Sequence, residues 1–151
     1  MNAPFKLLAA AVCGLLLGLA PAQAEDYTSP TDVFIYFGTS DNQLQVSPAE
    51  VALVVGQPYR IILINPSDES HIVAASDELA ATMRTTSVLK GTPRVEYPTG
   101  VITNGIELRP GEMLEWSFTP LQEGKAKIGC ATPLHAELGM HAMITVVNDA
   151  L

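Results

Sequence analysis

The segment "KIGCATPLHAELGMHAMITVV" near the end of the chain concentrates side chains that bind transition metals. Its spacing is Cys130-x4-His135-x4-Met140, and it leads into an apolar run that predicts a strand. Thiolate, imidazole and thioether are soft to borderline ligands, which suit copper better than magnesium, calcium or manganese. A site of two His and one Cys with a weak axial Met supports one-electron copper chemistry. The segment therefore predicts a copper site that needs a second His.

His71 is the natural candidate for that second imidazole. It begins a predicted strand after the turn-rich "NPSDES", and a Greek-key sandwich can bring this strand beside the last loop. Within the predicted final strand, we expect Met143 to fill the core and His141 to lie near the surface, where it could tune partner binding. Met83 and Met113 are weaker candidates for a second, Met-rich site.

Residues 1–24 have the pattern of a cleaved secretory signal peptide. Lys6 supplies a basic region, "LLAAAVCGLLLGLA" is the apolar region, and "AQA" offers small residues for cleavage after Ala24. The apolar run is shorter than the roughly 20 residues that a transmembrane helix needs. We therefore expect export to the periplasm and no stable membrane insertion of the mature chain.

Removal of residues 1–24 would also remove Cys13 and leave a single domain, 25–151, with Cys130 as its one cysteine. One cysteine cannot form an internal disulfide, and a lone thiol in an oxidising compartment is a liability unless it is protected or used. The formal net charge of −8 argues against nucleic acid as a partner, because nucleic-acid-binding surfaces are basic.

Short β-branched and aromatic runs separated by Pro and Gly turns predict an all-β fold, an antiparallel Greek-key sandwich. The predicted strands are 33–38, 42–46, 50–55, 59–65, 71–76, 105–109, 112–118, 125–130 and 141–147. The exception is a short helical or irregular excursion around 77–104, in which "DELAATMR" predicts a helix with Ser76 as its N-cap. Trp116 and Phe118 share one strand face and are expected in the core.

Three segments resemble the cupredoxins, or type 1 (blue) copper proteins, including members of the rusticyanin, azurin and plastocyanin kinds. "LINPSDESHIVAAS" is similar to the strand and loop that supply the first His, and "GCATPLHAELGMHAMITVV" to the ligand loop and final strand. "IELRPGEMLEWSFTPLQEGKAKIGC" resembles the strands between them. The resemblance implies one type 1 copper ion, with His71, Cys130 and His135 as equatorial ligands and Met140 as the axial ligand.

Two residues depart from the family pattern. Ile72 occupies the position where cupredoxins often have a small polar residue that ties the two ligand loops together. Gly129 precedes the Cys and leaves that side of the sulfur more open than a bulky residue would. Because hydrogen bonding and hydrophobicity around the sulfur tune a copper site, both residues bear on its colour and potential.

The resemblance implies an electron carrier rather than an enzyme. The edge of His135 would be the solvent-facing route for electrons, and Leu134 and Leu138 part of an apolar docking patch. The expected partner is a redox protein such as a c-type cytochrome or a membrane oxidase or reductase. A periplasmic copper-binding protein for copper resistance or delivery is the alternative, since the same fold and ligands could serve it.

Overall fold

The computed structural model describes residues 29–148 and contains two β-sheets packed face to face. The strands are β1 (Thr31–Phe37), β2 (Val46–Ser47), β3 (Glu50–Val54), β4 (Tyr59–Ile64), β5 (His71–Ala75), β6 (Met83–Lys90), β7 (Val95–Tyr97), β8 (Ile106–Leu108), β9 (Met113–Pro120), β10 (Gly124–Cys130) and β11 (His141–Val147). Three short helices interrupt them: α1 (Asp77–Ala81), α2 (Val101–Asn104) and α3 (Pro133–Glu137). The all-β sandwich predicted from the sequence is confirmed.

The first sheet has six strands in the order β2-β1-β4-β9-β6-β7, and the second has five in the order β3-β11-β10-β5-β8. Alternation along the strands turns one apolar face of each sheet inward. Trp116 and Phe118 are 0% and 1% exposed, as expected, with ring centroids 4.4 Å apart. The Trp116 indole N–H donates to the Thr85 hydroxyl at 3.0 Å, so its polar group is satisfied within the core.

The structure corrects four predictions about individual elements. The excursion around 77–104 is largely regular: α1 begins at the predicted Ser76 cap, but 83–90 is a full strand that pairs with β9. The predicted strand 42–46 is mostly loop. The "TPLHAELG" segment, expected as a loop, contains α3. The sandwich is not wholly antiparallel, because β1 pairs with β4, and β3 with β11, in parallel.

The order of the second sheet assembles the predicted ligands. β10 lies between β5 and β11, and Cys130 at its end is opposite Val73. His71 at the start of β5 and Met140 just before β11 therefore lie at the same end of the sheet as Cys130. The predicted signal peptide, 1–24, lies outside the described residues. Between residues 29 and 148, no helix combines the length and apolar character needed to cross a membrane.

Candidate metal centre

His71, Cys130 and His135 form a compact cluster of donor atoms. Nδ1 of His71 lies 3.4 Å from Nδ1 of His135, and the Cys130 sulfur lies 3.5 Å from that same nitrogen of His135. The three ligand atoms all lie within 4.8 Å of one another. With bonds of about 2.0–2.3 Å, as N and S donors make to zinc, a trigonal arrangement places two donors about 3.5–4 Å apart. The cluster therefore fits a single transition-metal ion.

His71 is held in one orientation by a buried hydrogen-bond chain. Its Nε2 lies 3.0 Å from the Ser67 hydroxyl, and that hydroxyl donates to Oδ1 of Asn65 at 2.6 Å. Because the Ser67 hydroxyl donates its hydrogen to Asn65, its oxygen accepts a hydrogen bond from the Nε2–H of His71. The Nδ1 lone pair is then free to face the cluster, which is the arrangement that a metal ligand requires.

Asn65 in turn fixes the loop that carries this hydroxyl. Its side-chain amide donates to the carbonyls of Glu69 at 2.7 Å and Leu108 at 2.8 Å. Ser67 also packs closely against Gly38, where an added Cβ would lie 2.6 Å from the Ser67 Cβ and where φ is +78°. Glycine is therefore required at this position by both space and backbone conformation. The sequence analysis did not identify Asn65, Ser67 or Gly38.

The environment of His71 favours the neutral imidazole. Its side chain is 0% exposed, and burial lowers its pKa below the ordinary value, with the nearby His135 acting in the same direction and Glu69 opposing it. A neutral imidazole is the form that binds a metal ion. His71 therefore does not have to lose a proton before the site can bind a metal ion.

Backbone hydrogen bonds close the loop that supplies the other donors. The Cys130 N–H donates to the Met140 carbonyl at 2.9 Å, and the Met140 N–H donates to the His135 carbonyl at 3.0 Å. The Ala131 N–H donates to the Ile72 carbonyl at 2.6 Å. This last bond joins the two ligand loops through the main chain, so the apolar side chain of Ile72, which is 41% exposed, is compatible with a tied pair of loops.

Met140 is fully buried at the same end of the sandwich. Its main chain is bonded to both Cys130 and His135, as described above, which fixes its position in the ligand loop. The role of Met140 as an axial ligand remains a prediction. Met83 and Met113, the other candidate methionines, are far from each other, because in the strand register they lie at opposite ends of β9.

The prediction for Met143 was wrong. Residues two apart in a strand point to the same face, so Met143 and His141 both lie on the outer face of β11, and both are half-buried. Ala142, Ile144 and Val146 point into the core instead. His141 lies close to Gly129, where an added Cβ would be 2.7 Å from the His141 Cβ. Glycine before the Cys is thus required by the close approach of β10 and β11.

Two sides of the cluster have different access to solvent. Cys130 is only 4% exposed in spite of the neighbouring glycine. A pocket of about 270 Å³ nevertheless lies beside it, with Gly129, Met140 and His141 in its wall. The His135 side chain is 12% exposed, and it is flanked by Leu134 and Leu138, which are 61% and 59% exposed. Both leucines are exposed apolar side chains next to His135 in α3 and at its end, and their role as a docking patch stays a prediction.

Structural comparison places this architecture among known proteins. Auracyanin B matches with a TM-score of 0.55 and 18% identity over 80% of this chain and 91% of its own. Auracyanin A, a "blue" copper protein from Chloroflexus aurantiacus, matches with a TM-score of 0.51 and 18% identity over 79% of this chain and 100% of its own. The fold is that of the cupredoxins.

A copper nitrite reductase from Nitrosomonas europaea also matches, with a TM-score of 0.56 and 15% identity over 81% of this chain but only 50% of its own length. The cupredoxin fold therefore occurs here in proteins of more than one kind. No family model and no curated protein sequence matches the chain. At these identities the likeness concerns the fold, and the function has to be argued from the site.

Proposed function

We propose that this protein is a periplasmic electron carrier with one type 1 copper ion. The observation that carries the proposal is the buried cluster of two imidazole nitrogens and one thiol sulfur, with one imidazole at an apolar surface. His71, Cys130 and His135 would bind the ion as equatorial ligands, with Met140 as the axial ligand. Bound there, copper supplies a one-electron couple between Cu(II) and Cu(I).

The chain's own residues would keep this couple reversible. His71 is fixed through Ser67 and Asn65. Cys130 is fixed at the end of β10, where its own N–H donates to the Met140 carbonyl. Donors that cannot move far require little rearrangement when the charge at the site changes. Burial of the thiol also keeps water and oxidants away from it. Electrons would enter and leave at the edge of His135, where the protein cover is thinnest.

The surface around His135 suits brief encounters with a redox partner. Electron-transfer complexes bury small interfaces, and the exposed leucines at 134 and 138 provide a modest apolar patch. The net charge of −8 would steer the protein towards a partner with a basic face. A c-type cytochrome or a membrane oxidase or reductase fits this description, and the predicted signal peptide supports a periplasmic location.

An electron-transfer role is favoured over an enzymatic one, although a nitrite reductase shares the fold. Within residues 29–148, the structure has one group of three or more His, Cys, Asp or Glu donors close enough to hold a metal ion. The chain corresponds to half of the nitrite reductase that it resembles. One mononuclear centre of two imidazoles and a thiol is sufficient for one-electron transfer.

Copper resistance or delivery is the second candidate, and one observation favours it. The pocket beside Cys130 and Met140 has small residues in its wall, namely Ala74, Gly129, Ala131 and Ala136. A donor group from a partner could enter this pocket and compete for the ion. A carrier retains its copper in both oxidation states, whereas a delivery protein releases it in one of them.

Repeated reduction and reoxidation of the copper-loaded protein in the presence of a Cu(I) chelator separates the two functions. As a carrier, the protein should recover its visible absorption on each cycle and retain its copper. Loss of copper to the chelator after the first reduction would support delivery instead. A chain that shows no reversible couple would overturn the electron-carrier proposal. Cys130→Ser serves as the control that lacks the thiolate.

A further inference from the structure

The outward-facing nitrogens of the two cluster imidazoles have different partners, and one loop supplies both. Nε2 of His71 meets the neutral Ser67 hydroxyl at 3.0 Å. Nε2 of His135 faces a carboxylate oxygen of Glu69 at 3.7 Å. Only one residue separates Ser67 and Glu69 in the sequence, so this short stretch contacts both histidines on the side away from the cluster.

The main chain of Glu69 is held firmly although its side chain is 55% exposed. Its carbonyl accepts a hydrogen bond from the Asn65 amide at 2.7 Å and lies 3.2 Å from the Ser67 hydroxyl. Its N–H donates to the same hydroxyl at 3.4 Å. The chain that orients His71 therefore also places the Glu69 carboxylate beside His135.

We propose that the negative charge of Glu69, placed beside His135, favours the oxidised state of the bound copper. The inference rests on the proposed function. The 3.7 Å separation of the two side chains is longer than a hydrogen bond, so the carboxylate acts through its charge. A negative charge near the site stabilises the larger positive charge of Cu(II) more than that of Cu(I).

Adjacent acids on the same loop allow a matched test. Glu69→Gln removes the charge beside His135, and Glu69→Lys reverses it. Asp68→Asn removes an equal charge from the neighbouring exposed residue, whose N–H donates to the Gln43 side chain, whereas the Glu69 carboxylate is the one that faces His135. The measurement is the equilibrium ratio of Cu(II) to Cu(I) in each loaded protein, poised against the same redox buffer at one ionic strength.

We expect Glu69→Gln to shift the ratio about threefold or more towards Cu(I), and Glu69→Lys to shift it further in that direction. A tenfold shift corresponds to about 59 mV for a one-electron couple. Asp68→Asn should shift the ratio by less than Glu69→Gln. Because the altered side chains are exposed, unfolding midpoints of the metal-free variants should match that of the unaltered chain.

Equal shifts for Glu69→Gln and Asp68→Asn would overturn the inference, since the position of Glu69 beside His135 would then make no difference. A shift towards Cu(II) in Glu69→Lys would also overturn it. These outcomes are distinguishable from failure of the proposed function, in which the unaltered protein itself shows no reversible copper couple.

Discussion

The two histidines of the cluster differ in nearly every physical respect. His71 is 0% exposed, lies at the start of a central strand and is bonded to a buried hydroxyl. His135 lies in a five-residue helix, is flanked by exposed leucines and faces a partly solvated carboxylate. The comparison indicates that one side of the centre is built into the core, while the other side is available to partners. The experiments below test that division.

The largest expected effect is on the free energy of unfolding of the metal-free protein, which His71→Ala should lower much more than His135→Ala. Removal of the His71 ring leaves a buried cavity and takes one hydrogen-bond partner from the Ser67 hydroxyl, at a cost of about 2–4 kcal/mol in the free energy of unfolding. His135→Ala should cost about 1 kcal/mol or less, because His135 lies in a short helix without a buried residue. Urea unfolding measures both values. Equal losses would show that the two sides are not distinct.

Ser67→Ala tests the buried side without removing a ligand. The substitution takes a partner from His71 Nε2 and a donor from Asn65, so the affinity for Cu(II) should fall by about 10- to 100-fold. The unfolding free energy should fall by about 1–2 kcal/mol. Ser70→Ala, at an exposed position of the same loop, is the matched control and should leave the affinity unchanged. An unaltered affinity in Ser67→Ala would mean that the hydroxyl does not orient the imidazole.

Leu134→Asn tests the exposed side. Leu134 is 61% exposed, so stability should change by about 0.5 kcal/mol at most. The rate of electron exchange with a c-type cytochrome should nevertheless fall several-fold, because the apolar patch is lost. Leu121→Asn is the control: Leu121 is 54% exposed and precedes the start of β10, at the opposite end from Cys130. Equal rates in the two variants would show that the apolar patch does not take part in docking.

The smallest expected effect is the change in stability caused by Glu112→Gln, in the turn that supports Asn65 and therefore His71. The main chain of Asn65 is bonded to the 109–112 turn, and hydrogen bonds from Lys90 and from the Arg109 N–H lower the pKa of Glu112. A lowered pKa means that Glu112 stabilises the fold above its ordinary value of 4.5 and loses this effect as the pH falls. Glu112→Gln should therefore cost about 0.5 kcal/mol at neutral pH. The cost should diminish in acid, and a constant cost across the acid range would contradict this assignment.

The sequence indicated the clustered donors better than the residues that support them. Cys130 and His135 are close in the chain and have chemically distinctive side chains, so their spacing was informative. Asn65 and Ser67 both belong to "NPSDES" (65–70), which has the composition of a solvated turn. Their burial depends on contacts with Leu108 and Gly38, which are distant in the sequence. Only the need of a buried imidazole for a hydrogen-bond partner could have indicated them.

The missed strand has a similar physical explanation. Only Met83 and Val88 of β6 are buried, and the rest of "MRTTSVLK" is polar or partly exposed. Its strand conformation is imposed by pairing with β9, which is nearly continuous in its burial. Local periodicity cannot report such a partner. The error for Met143 was different, since the alternation rule itself places it on the same face as His141.

The proposed electron carrier depends on two imidazoles and one thiol binding a single copper ion. Titration of Cu(II) into the metal-free protein, followed by visible absorption, is the decisive experiment. An intense thiolate-to-copper band should appear, saturate at one equivalent and be absent in Cys130→Ser. The absence of a band, or the same band in Cys130→Ser, would show that the copper is not bound by this cluster.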